Sequence, residues 1–442
     1  MTVREAVERV LPGVLDDLKR LVAVESVSAD PARADQVLAS AELAAGLIRD
    51  AGAATVEIAT EASQPAVIAS FPAPPGAPTV CLYAHHDVQP EGDAAQWTTP
   101  PFQATERDGR LYGRGTADDK GGLAVHLAAL RAFDGRPPVG VKLFIEGEEE
   151  IGSPGLGKLL SAHREALVAD AFVIADSGNW EAGRPALTTT LRGLADCVVE
   201  VRTLDHAIHS GSFGGVAPDA LTALCRLLAT LHDDQGNVAV PGLVSGAGPD
   251  LDYPEERFRA ESGMLDSVRT LGEGSVGQRL WEKAAIAVIA LDATPVAKAS
   301  NTLHATARAK ISMRLAPGDD APRALRNLTE HLTANAPWGA QVTVTPGDLG
   351  GPSRIPFEGP IAAALGGAIT EAWGVEPVLV GQGGSIPMAA EFAIAYPEAA
   401  IFLTAVGDPQ CRAHGIDESL HLGDFRAACL AEALFLERLA TA

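Results

Sequence analysis

The stretch Val80-Cys81-Leu82-Tyr83-Ala84-His85-His86-Asp87 joins a short apolar run to two imidazoles and a carboxylate. Apolar runs of this kind are typical of strands that are buried on both faces. In such a strand His85 and Asp87 would point the same way, because alternate residues share a face. The imidazole could then bind a metal ion while the carboxylate fixes its tautomer. A strand-end histidine beside a capping aspartate is the open alternative.

Similar apolar runs recur along the chain and alternate with segments of helical period. This alternation is the βαβ rhythm of a largely parallel sheet flanked by helices, and it predicts an α/β fold. The predicted strands are 56–58, 66–71, 80–84, 141–145, 172–175, 378–380 and 400–405, and the predicted helices are 7–21, 34–51, 121–133, 361–373 and 424–439.

The pattern changes after about Thr188. Strands predicted at 194–203, 305–314 and 341–345 and helices predicted at 218–232 and 322–334 indicate a smaller antiparallel sheet with two helices. This second domain interrupts the first, so we expect residues 1–188 and 349–442 to form one domain and residues 189–348 the other. Between 236 and 294 we expect an apolar helix near 281–289, and the remaining fold of that insertion is not predicted.

Composition limits the possible partners and the location. At 442 residues the chain is long enough for about two domains. Its 34 Lys plus Arg against 57 Asp plus Glu give a formal charge of -23, which argues against nucleic acid as a partner. The sequence shows neither a secretory signal nor an apolar stretch long enough to span a membrane. Five dispersed cysteines indicate no disulfide framework, so we expect a soluble cytoplasmic protein.

Two acidic motifs follow turns or strands. Gly113-Arg114-Gly115-Thr116-Ala117-Asp118-Asp119-Lys120-Gly121-Gly122 is a turn that opens a helix, and Asp118 could bridge two cations. An acidic helix cap is the alternative for this motif. Glu146-Gly147-Glu148-Glu149-Glu150-Ile151-Gly152-Ser153 follows an apolar strand, although a charge run is by default a solvated face.

The candidate ligands become informative as a set. Histidine and carboxylate positions at several strand ends of one sheet suit zinc or manganese, so the sequence predicts a two-metal hydrolase. The five candidate metal ligands are His85, Asp118, Glu150, Asp176 and His414.

With these motifs the chain resembles the co-catalytic zinc peptidases, a family of aminoacylases, glutamate carboxypeptidases, desuccinylases and carnosinase-like dipeptidases. The resemblance covers nearly the full length and is greatest to the cytosolic dipeptidase branch. It implies a zinc-peptidase-like sheet with an inserted α+β, ferredoxin-like lid and dimerisation domain. The motifs that carry it are His85-His86-Asp87-Val88-Gln89-Pro90, 113–121, 146–153 and Gly383-Gly384-Ser385-Ile386-Pro387.

The resemblance also implies a role for each candidate residue in the metal site. Two divalent ions would bind, with Zn²⁺ as the first choice and Mn²⁺ or Co²⁺ as alternatives. Asp118 would bridge both ions, Asp87 would orient His85, and Glu149 would act as the general base. The resemblance also implies a cis peptide bond between Asp118 and Asp119. His85 and Asp176 would complete one site, and Glu150 and His414 the other.

In the lid, the resemblance implies that His209 reaches the active site of the neighbouring subunit of a homodimer and stabilises the oxyanion. Asn301 and Arg314 match substrate-holding positions, and Gly384 and Ser385 offer backbone donors for a carboxylate. Arg314 could instead form a surface ion pair, and Gly383-Gly384 could be only a turn.

The expected reaction is metal-dependent hydrolysis of the amide bond of dipeptides or short peptides with a free C-terminal carboxylate. A metal-bridging hydroxide would attack the amide, with Glu149 as base. An N-acyl amino acid deacylase is the alternative enzyme, because it also cleaves an amide beside a carboxylate. A non-catalytic peptide-binding protein on the same fold is the alternative from another class.

Overall fold

The structure is a computed structural model that describes residues 1–248, 251–384 and 387–441. Within those ranges no helix combines the length and the apolar character needed to cross a membrane. The helices are α1 (Val3–Val22), α2 (Ala34–Asp50), α3 (Lys120–Ala132), α4 (Leu156–Ala162), α5 (Ser210–Phe213), α6 (Ala220–Ala229), α7 (Glu255–Ser262), α8 (Val276–Trp281), α9 (Ala321–Ala334), α10 (Gly359–Trp373), α11 (Pro387–Ala395) and α12 (Leu422–Leu439).

Strands alternate with these helices along most of the chain. They are β1 (Thr55–Ala59), β2 (Ala66–Phe71), β3 (Thr79–His85), β4 (Thr105–Arg107), β5 (Arg110–Tyr112), β6 (Gly140–Glu146), β7 (Ala171–Ile174), β8 (Ala186–Leu191), β9 (Gly193–Arg202), β10 (Ile208–His209), β11 (Ala285–Asp292), β12 (Thr302–Leu303), β13 (Thr306–Leu315), β14 (Gln341–Gly350), β15 (Ser353–Arg354), β16 (Val378–Gln382), β17 (Ala400–Thr404) and β18 (Ser419–His421).

The chain divides into two compact units. The first unit comprises Met1–Thr189, Ile355–Val380 and Pro387–Ala442. The second unit comprises Thr190–Arg354 and the short segment Gly381–Ile386. In sequence, the second unit therefore interrupts the first twice.

The main sheet of the first unit has the order β1-β2-β6-β3-β7-β17-β8. Its four central strands, β6, β3, β7 and β17, run parallel, while β1 and β2 on one side and β8 on the other pair antiparallel. The predicted α/β fold with a largely parallel central sheet is confirmed. Because the carboxyl ends of parallel strands lie at one edge, residues that follow β3, β6, β7 and β17 can meet there.

Alternation along β3 explains how the sheet is covered on both faces. Val80, Leu82 and Ala84 belong to the main core cluster, to which α1, α3, α10 and α12 also contribute. Tyr83 points to the opposite face, where its ring centroid lies 6.0 Å from that of Phe392 on α11. The sheet is thus buried on both sides, which holds the end of β3 in place.

The second unit contains the antiparallel sheet β11-β13-β9-β14. Helices α6 and α9 pack their apolar sides on one face of this sheet, and their leucines form a separate core with alternate residues of β9 and β13. The predicted antiparallel sheet with two helices is confirmed.

The expected helix near 281–289 is wrong. Helix α8 ends at Trp281, and Ala285–Asp292 forms strand β11, paired antiparallel with β13. The segment is short and contains the β-branched residues Ile286, Val288 and Ile289, which favour a strand. Apolar runs of this length cannot be assigned to helix or strand by periodicity alone.

Candidate metal centre

The five predicted metal ligands come from separate elements of the first unit. His85 is the last residue of β3, and Asp176 lies two residues beyond β7. The remaining three lie in loops near β6, α3 and β18. The structure brings them together as two groups that share one residue, His85-Asp118-Asp176 and Asp118-Glu150-His414, with the ligand atoms of each group within 4.8 Å of one another.

Asp118 occupies the shared position. Its Oδ1 lies 3.1 Å from Nε2 of His85, and its Oδ2 lies 2.9 Å from Nε2 of His414. His414 Nε2 also lies 3.2 Å from Oε2 of Glu150. Each oxygen of the Asp118 carboxylate therefore faces a different imidazole, an arrangement suited to bridging two cations. The Asp118–Asp119 peptide bond is cis, as the resemblance implied.

Asp87 contacts residues of both groups. Nδ1 of His85 lies 3.0 Å from the backbone carbonyl of Asp87, which can only accept, so this nitrogen donates and Nε2, which faces Asp118, is the ring nitrogen available to a metal ion. Asp87 Oδ2 accepts hydrogen bonds from Ser28 Oγ at 2.6 Å and from the backbone N–H of Glu150 at 3.1 Å. Asp87 thus positions a ligand from each group, His85 through its backbone carbonyl and Glu150 through its buried carboxylate.

The two ligand groups together contain three carboxylates and two imidazoles. Burial, with the negative charge of Asp118 next, raises the pKa of Asp176 to about 7. Hydrogen bonds to Asp118 and Glu150 raise the pKa of His414 to about 10. Crowded carboxylates of this kind need positive charge, and the oxygen and imidazole donor set suits divalent cations such as zinc or manganese. The residues present therefore fit a pair of divalent ions.

These pKa shifts predict that metal affinity falls in acid. His414 must lose its proton to bind a metal ion, and its raised pKa keeps the proton on at neutral pH in the metal-free protein. Zinc affinity should therefore rise with pH between 6 and 8, by about tenfold per pH unit for each proton displaced. Competition with a chromophoric chelator at several pH values measures this slope, and an affinity independent of pH would contradict the prediction.

Glu149 lies in a single 3-10 turn, Glu149–Ile151, beside the ligand groups. Burial first, and then the charge of Asp176, raise the pKa of Glu149 well above its usual range. Among the described residues, none donates a hydrogen bond to its carboxylate. A carboxyl group with a raised pKa and free oxygens is suited to accept and return a proton near neutral pH.

Glu418 is a buried residue of the site that the sequence analysis missed. Its carboxylate accepts four hydrogen bonds from the turn that carries Asp118. The donors are Arg114 Nη1 at 2.6 Å and the backbone N–H groups of Gly115 at 3.1 Å, Ala117 at 3.0 Å and Asp118 at 3.2 Å. Glu418 thereby ties the turn to its own loop, which also carries His414.

A sequence signal for Glu418 does exist. Arg114 stands within the predicted metal-binding turn, where a cation would repel metal ions unless an acid neutralised it. Glu418 follows the predicted ligand His414 by four residues, so it was a candidate for that acid. Only the fold shows that the two segments meet.

Replacing Glu418 with glutamine should weaken metal binding by about 10–100-fold, the usual effect of losing a partner that orients metal ligands. The amide would offer one acceptor oxygen where two now hold four donors. Metal content after dialysis against a graded chelator buffer measures the loss. Glu432→Gln is the matched control, since Glu432 is also buried but pairs with His126, and it should change stability without changing metal affinity.

Residues of the second unit that were predicted to bind substrate fall into two groups. His209 on β10 pairs with Thr302 on β12, and the backbone carbonyl of Asn301 accepts from Ser210 N at 2.9 Å. His209 and Asn301 are thus brought together. The backbone N–H of Gly211 donates to His209 Nδ1 at 3.0 Å, which leaves Nε2 of a neutral ring to donate.

The other predicted substrate-binding residues lie on β13 and after β16. Arg314 on this strand stands opposite Leu194 of β9 and forms no ion pair with any residue in the described ranges, so the surface ion pair considered as an alternative is not found there. Gly384 lies in a bend after β16. Ser385, its predicted neighbour in carboxylate binding, lies outside the described residues.

A model of the family described as "Peptidase family M20/M25/M40" matches residues 81–438. The chain belongs to this peptidase family. Among relatives of this M20 chain is the "Cysteinylglycine-S-conjugate dipeptidase" of Corynebacterium striatum, 39% identical over 367 residues that cover 81% of each protein. The human "Beta-Ala-His dipeptidase" is 28% identical over 412 residues, covering 85% of this chain and 80% of the relative.

Solved structures agree with the M20 fold. Human carnosine dipeptidase 1 superposes with a TM-score of 0.84 at 25% identity, covering 100% of this chain and 98% of its own. The Saccharomyces cerevisiae di-peptidase Dug1p gives a TM-score of 0.84 at 23% identity, with coverage of 100% and 98%. The predicted resemblance to the dipeptidase branch and the prediction of a metallopeptidase are confirmed.

Proposed function

We propose that this M20 peptidase hydrolyses the amide bond of dipeptides or short peptides with a free C-terminal carboxylate. The observation that carries the proposal is the pair of ligand groups that share Asp118, with Glu149 beside them. The relatives support the substrate class, because their names specify cysteinylglycine conjugates, β-alanyl-histidine and Cys-Gly.

In this proposal two divalent ions, Zn²⁺ first and Mn²⁺ or Co²⁺ as alternatives, are held by the two groups. His85 and Asp176 complete one site, Glu150 and His414 complete the other, and Asp118 contributes to both. When bound, the ions would lower the pKa of a shared water and polarise the scissile carbonyl. Asp87 keeps His85 and Glu150 in place through its bonds to the ring and to the backbone.

Glu149 has the role of proton carrier. It takes a proton from the attacking water and delivers it to the departing amine nitrogen, so the same carboxyl group serves as base and then as acid. Burial raises the pKa of Glu149, and a carboxyl group with a raised pKa takes a proton from water more readily than one with its ordinary pKa.

The second unit supplies the residues for substrate binding. His209 would donate a hydrogen bond from Nε2 to the oxyanion that forms on the substrate in the active site of a neighbouring subunit. Asn301, next to His209, would hold the substrate. Arg314, Gly384 and Ser385 are proposed for the C-terminal carboxylate of the substrate.

A homodimer is part of the proposal because His209 is assigned to the neighbouring subunit. Support comes from β11, an edge strand of its sheet that exposes Val288, Ile289 and Leu291 by 44%, 57% and 44%. An exposed apolar edge strand is a ready site for pairing with another chain.

We expect Ile289→Glu to shift the protein from dimer to monomer, because a charge would be buried in the interface. Sedimentation velocity gives the mass, and turnover should fall with dimer content. Leu265→Glu is the control, since Leu265 is exposed in the same unit but lies outside the sheet. A wild-type monomer that is fully active at assay concentration would overturn the dimer proposal.

We also propose a cytoplasmic location without nucleic-acid or membrane partners. All five cysteines are free, as is usual in a reducing compartment. The formal charge of -23 would repel nucleic acid and anionic lipid surfaces.

The test of function is a turnover assay with the metal-reconstituted protein against a panel of dipeptides, including Cys-Gly and β-Ala-His, and a panel of N-acyl amino acids. We expect hydrolysis of dipeptides that a chelator abolishes and added metal restores. Activity confined to the N-acyl panel would replace the proposal with a deacylase. Activity on neither panel would overturn it and favour a binding protein.

A further inference from the structure

Two arginines of the second unit, Arg192 and Arg314, lie close together and form no ion pair with an acid of the described residues. Arg314 stands opposite Leu194 in the β13–β9 pairing, and Arg192 directly precedes β9, two residues before Leu194. Burial, and then the positive charge of Arg314, lower the pKa of Arg192 to about 10. The two guanidinium groups therefore repel each other in a partly desolvated position.

Nearby acids do not relieve this repulsion. In the described part of the chain, neither Arg192 nor Arg314 forms an ion pair, and Nε of Arg192 is buried without a hydrogen-bond partner. Asp196, on the same side of β9, is engaged by Lys310 Nζ at 3.0 Å. Since partly buried guanidinium groups are normally paired, these two arginines have the character of a site for an anion.

The glycine turn after β16 borders the pair. The backbone N–H of Arg192 donates to the carbonyl of Gln382 at 3.1 Å. A Cβ placed on Gly383 would lie 2.9 Å from Arg192 Nη2, whereas a Cβ on Gly384 would meet no atom of the described residues within 4 Å, its chain neighbours aside. Glycine at 383 thus leaves room for the guanidinium.

We propose that Arg192, together with Arg314, binds the free C-terminal carboxylate of the substrate and so determines the preference for free acids over amides. This inference rests on the proposed peptidase function and adds a residue to it. One carboxylate can accept from two planar guanidinium forks, which neutralises a repulsion that a neutral amide would leave in place. The peptide amide is rejected because it cannot supply the missing charge.

The test compares kcat/KM for a dipeptide and for the same dipeptide with an amidated C-terminus, using the metal-loaded enzyme. Wild type should favour the free acid by at least about 100-fold. Arg192→Met should lower kcat/KM for the acid by about 30–100-fold, mainly through KM, and for the amide by less than about threefold. Arg192→Lys should recover only part of the loss, because it lacks the planar fork.

Two further variants guard against a structural explanation. Gly383→Ala should reproduce the selective loss on the acid, because the added methyl group displaces the Arg192 guanidinium. Arg326→Met, at an exposed position of α9, should change neither rate. If Arg192→Met does not fold, the Gly383→Ala result decides.

The outcomes separate the two proposals. Equal losses on acid and amide, or an unchanged ratio between them, would overturn the role of Arg192 while leaving the peptidase function standing. A wild-type enzyme that cleaves neither substrate would instead overturn the proposed function on which the role of Arg192 depends.

Discussion

Glu149→Gln should retain both metal ions while kcat falls by about 10²–10⁴-fold, equivalent to about 3–5 kcal/mol in the activation barrier. The amide is nearly the same shape as the carboxyl group but cannot accept the proton from water. Glu149 belongs to neither ligand group, so its replacement removes no metal donor. Metal content by mass spectrometry and kcat on the best dipeptide of the panel measure the two effects separately.

Glu150→Gln is the matched comparison, because Glu150 is the next residue in the same 3-10 turn and belongs to a ligand group. This variant should lose metal, and its activity should return in part at high metal concentration. Excess metal should not restore Glu149→Gln. If Glu149→Gln loses metal and activity in proportion, Glu149 is a ligand and not the base.

Asp118→Asn should reduce the affinity for both ions and abolish turnover. Asp118 belongs to both ligand groups, and its two oxygens face His85 and His414. An amide offers one acceptor oxygen and an N–H₂ group that repels a cation. Replacing a residue that only orients a ligand typically lowers metal affinity by about 10–100-fold, and we expect a larger loss at each site here. Isothermal titration of the metal-free variant with zinc gives the stoichiometry and affinity of each site.

The comparison for Asp118 is a ligand that belongs to one group only. Asp176→Asn should weaken one ion and leave the Asp118-Glu150-His414 group able to bind the other. We therefore expect about one tightly bound ion in Asp176→Asn and none in Asp118→Asn. Equal stoichiometries in the two variants would show that Asp118 does not bridge the sites.

Much of the candidate metal centre was predictable, because several of its residues end or follow strands that the apolar pattern identifies. His85 ends β3 and Asp176 follows β7, so one rule about parallel sheets places them together. The assignment of each ligand to one ion came from resemblance to a family, since spacing alone does not show which side chains meet.

The interactions that escaped prediction connect segments far apart in the chain. Glu418 supports the Asp118 turn across about 300 residues of sequence, and no local pattern encodes that contact. The strand β11 was missed for a different reason, because a short apolar run forms a helix or a strand according to its neighbours. The sequence analysis assigned no role to Arg192, because its position becomes informative only when the structure shows that Arg314 lies close to it.

The late position of His414 and Glu418 has a consequence for protein synthesis. His414 completes one ligand group, Glu418 holds the turn of Asp118, and β18 pairs with β5 just beyond them. Both residues are synthesised long after the other four candidate ligands, which lie between residues 85 and 176. A nascent chain that has not yet reached this segment therefore lacks one member of the second ligand group and the acid that holds the Asp118 turn, so we expect it to be inactive.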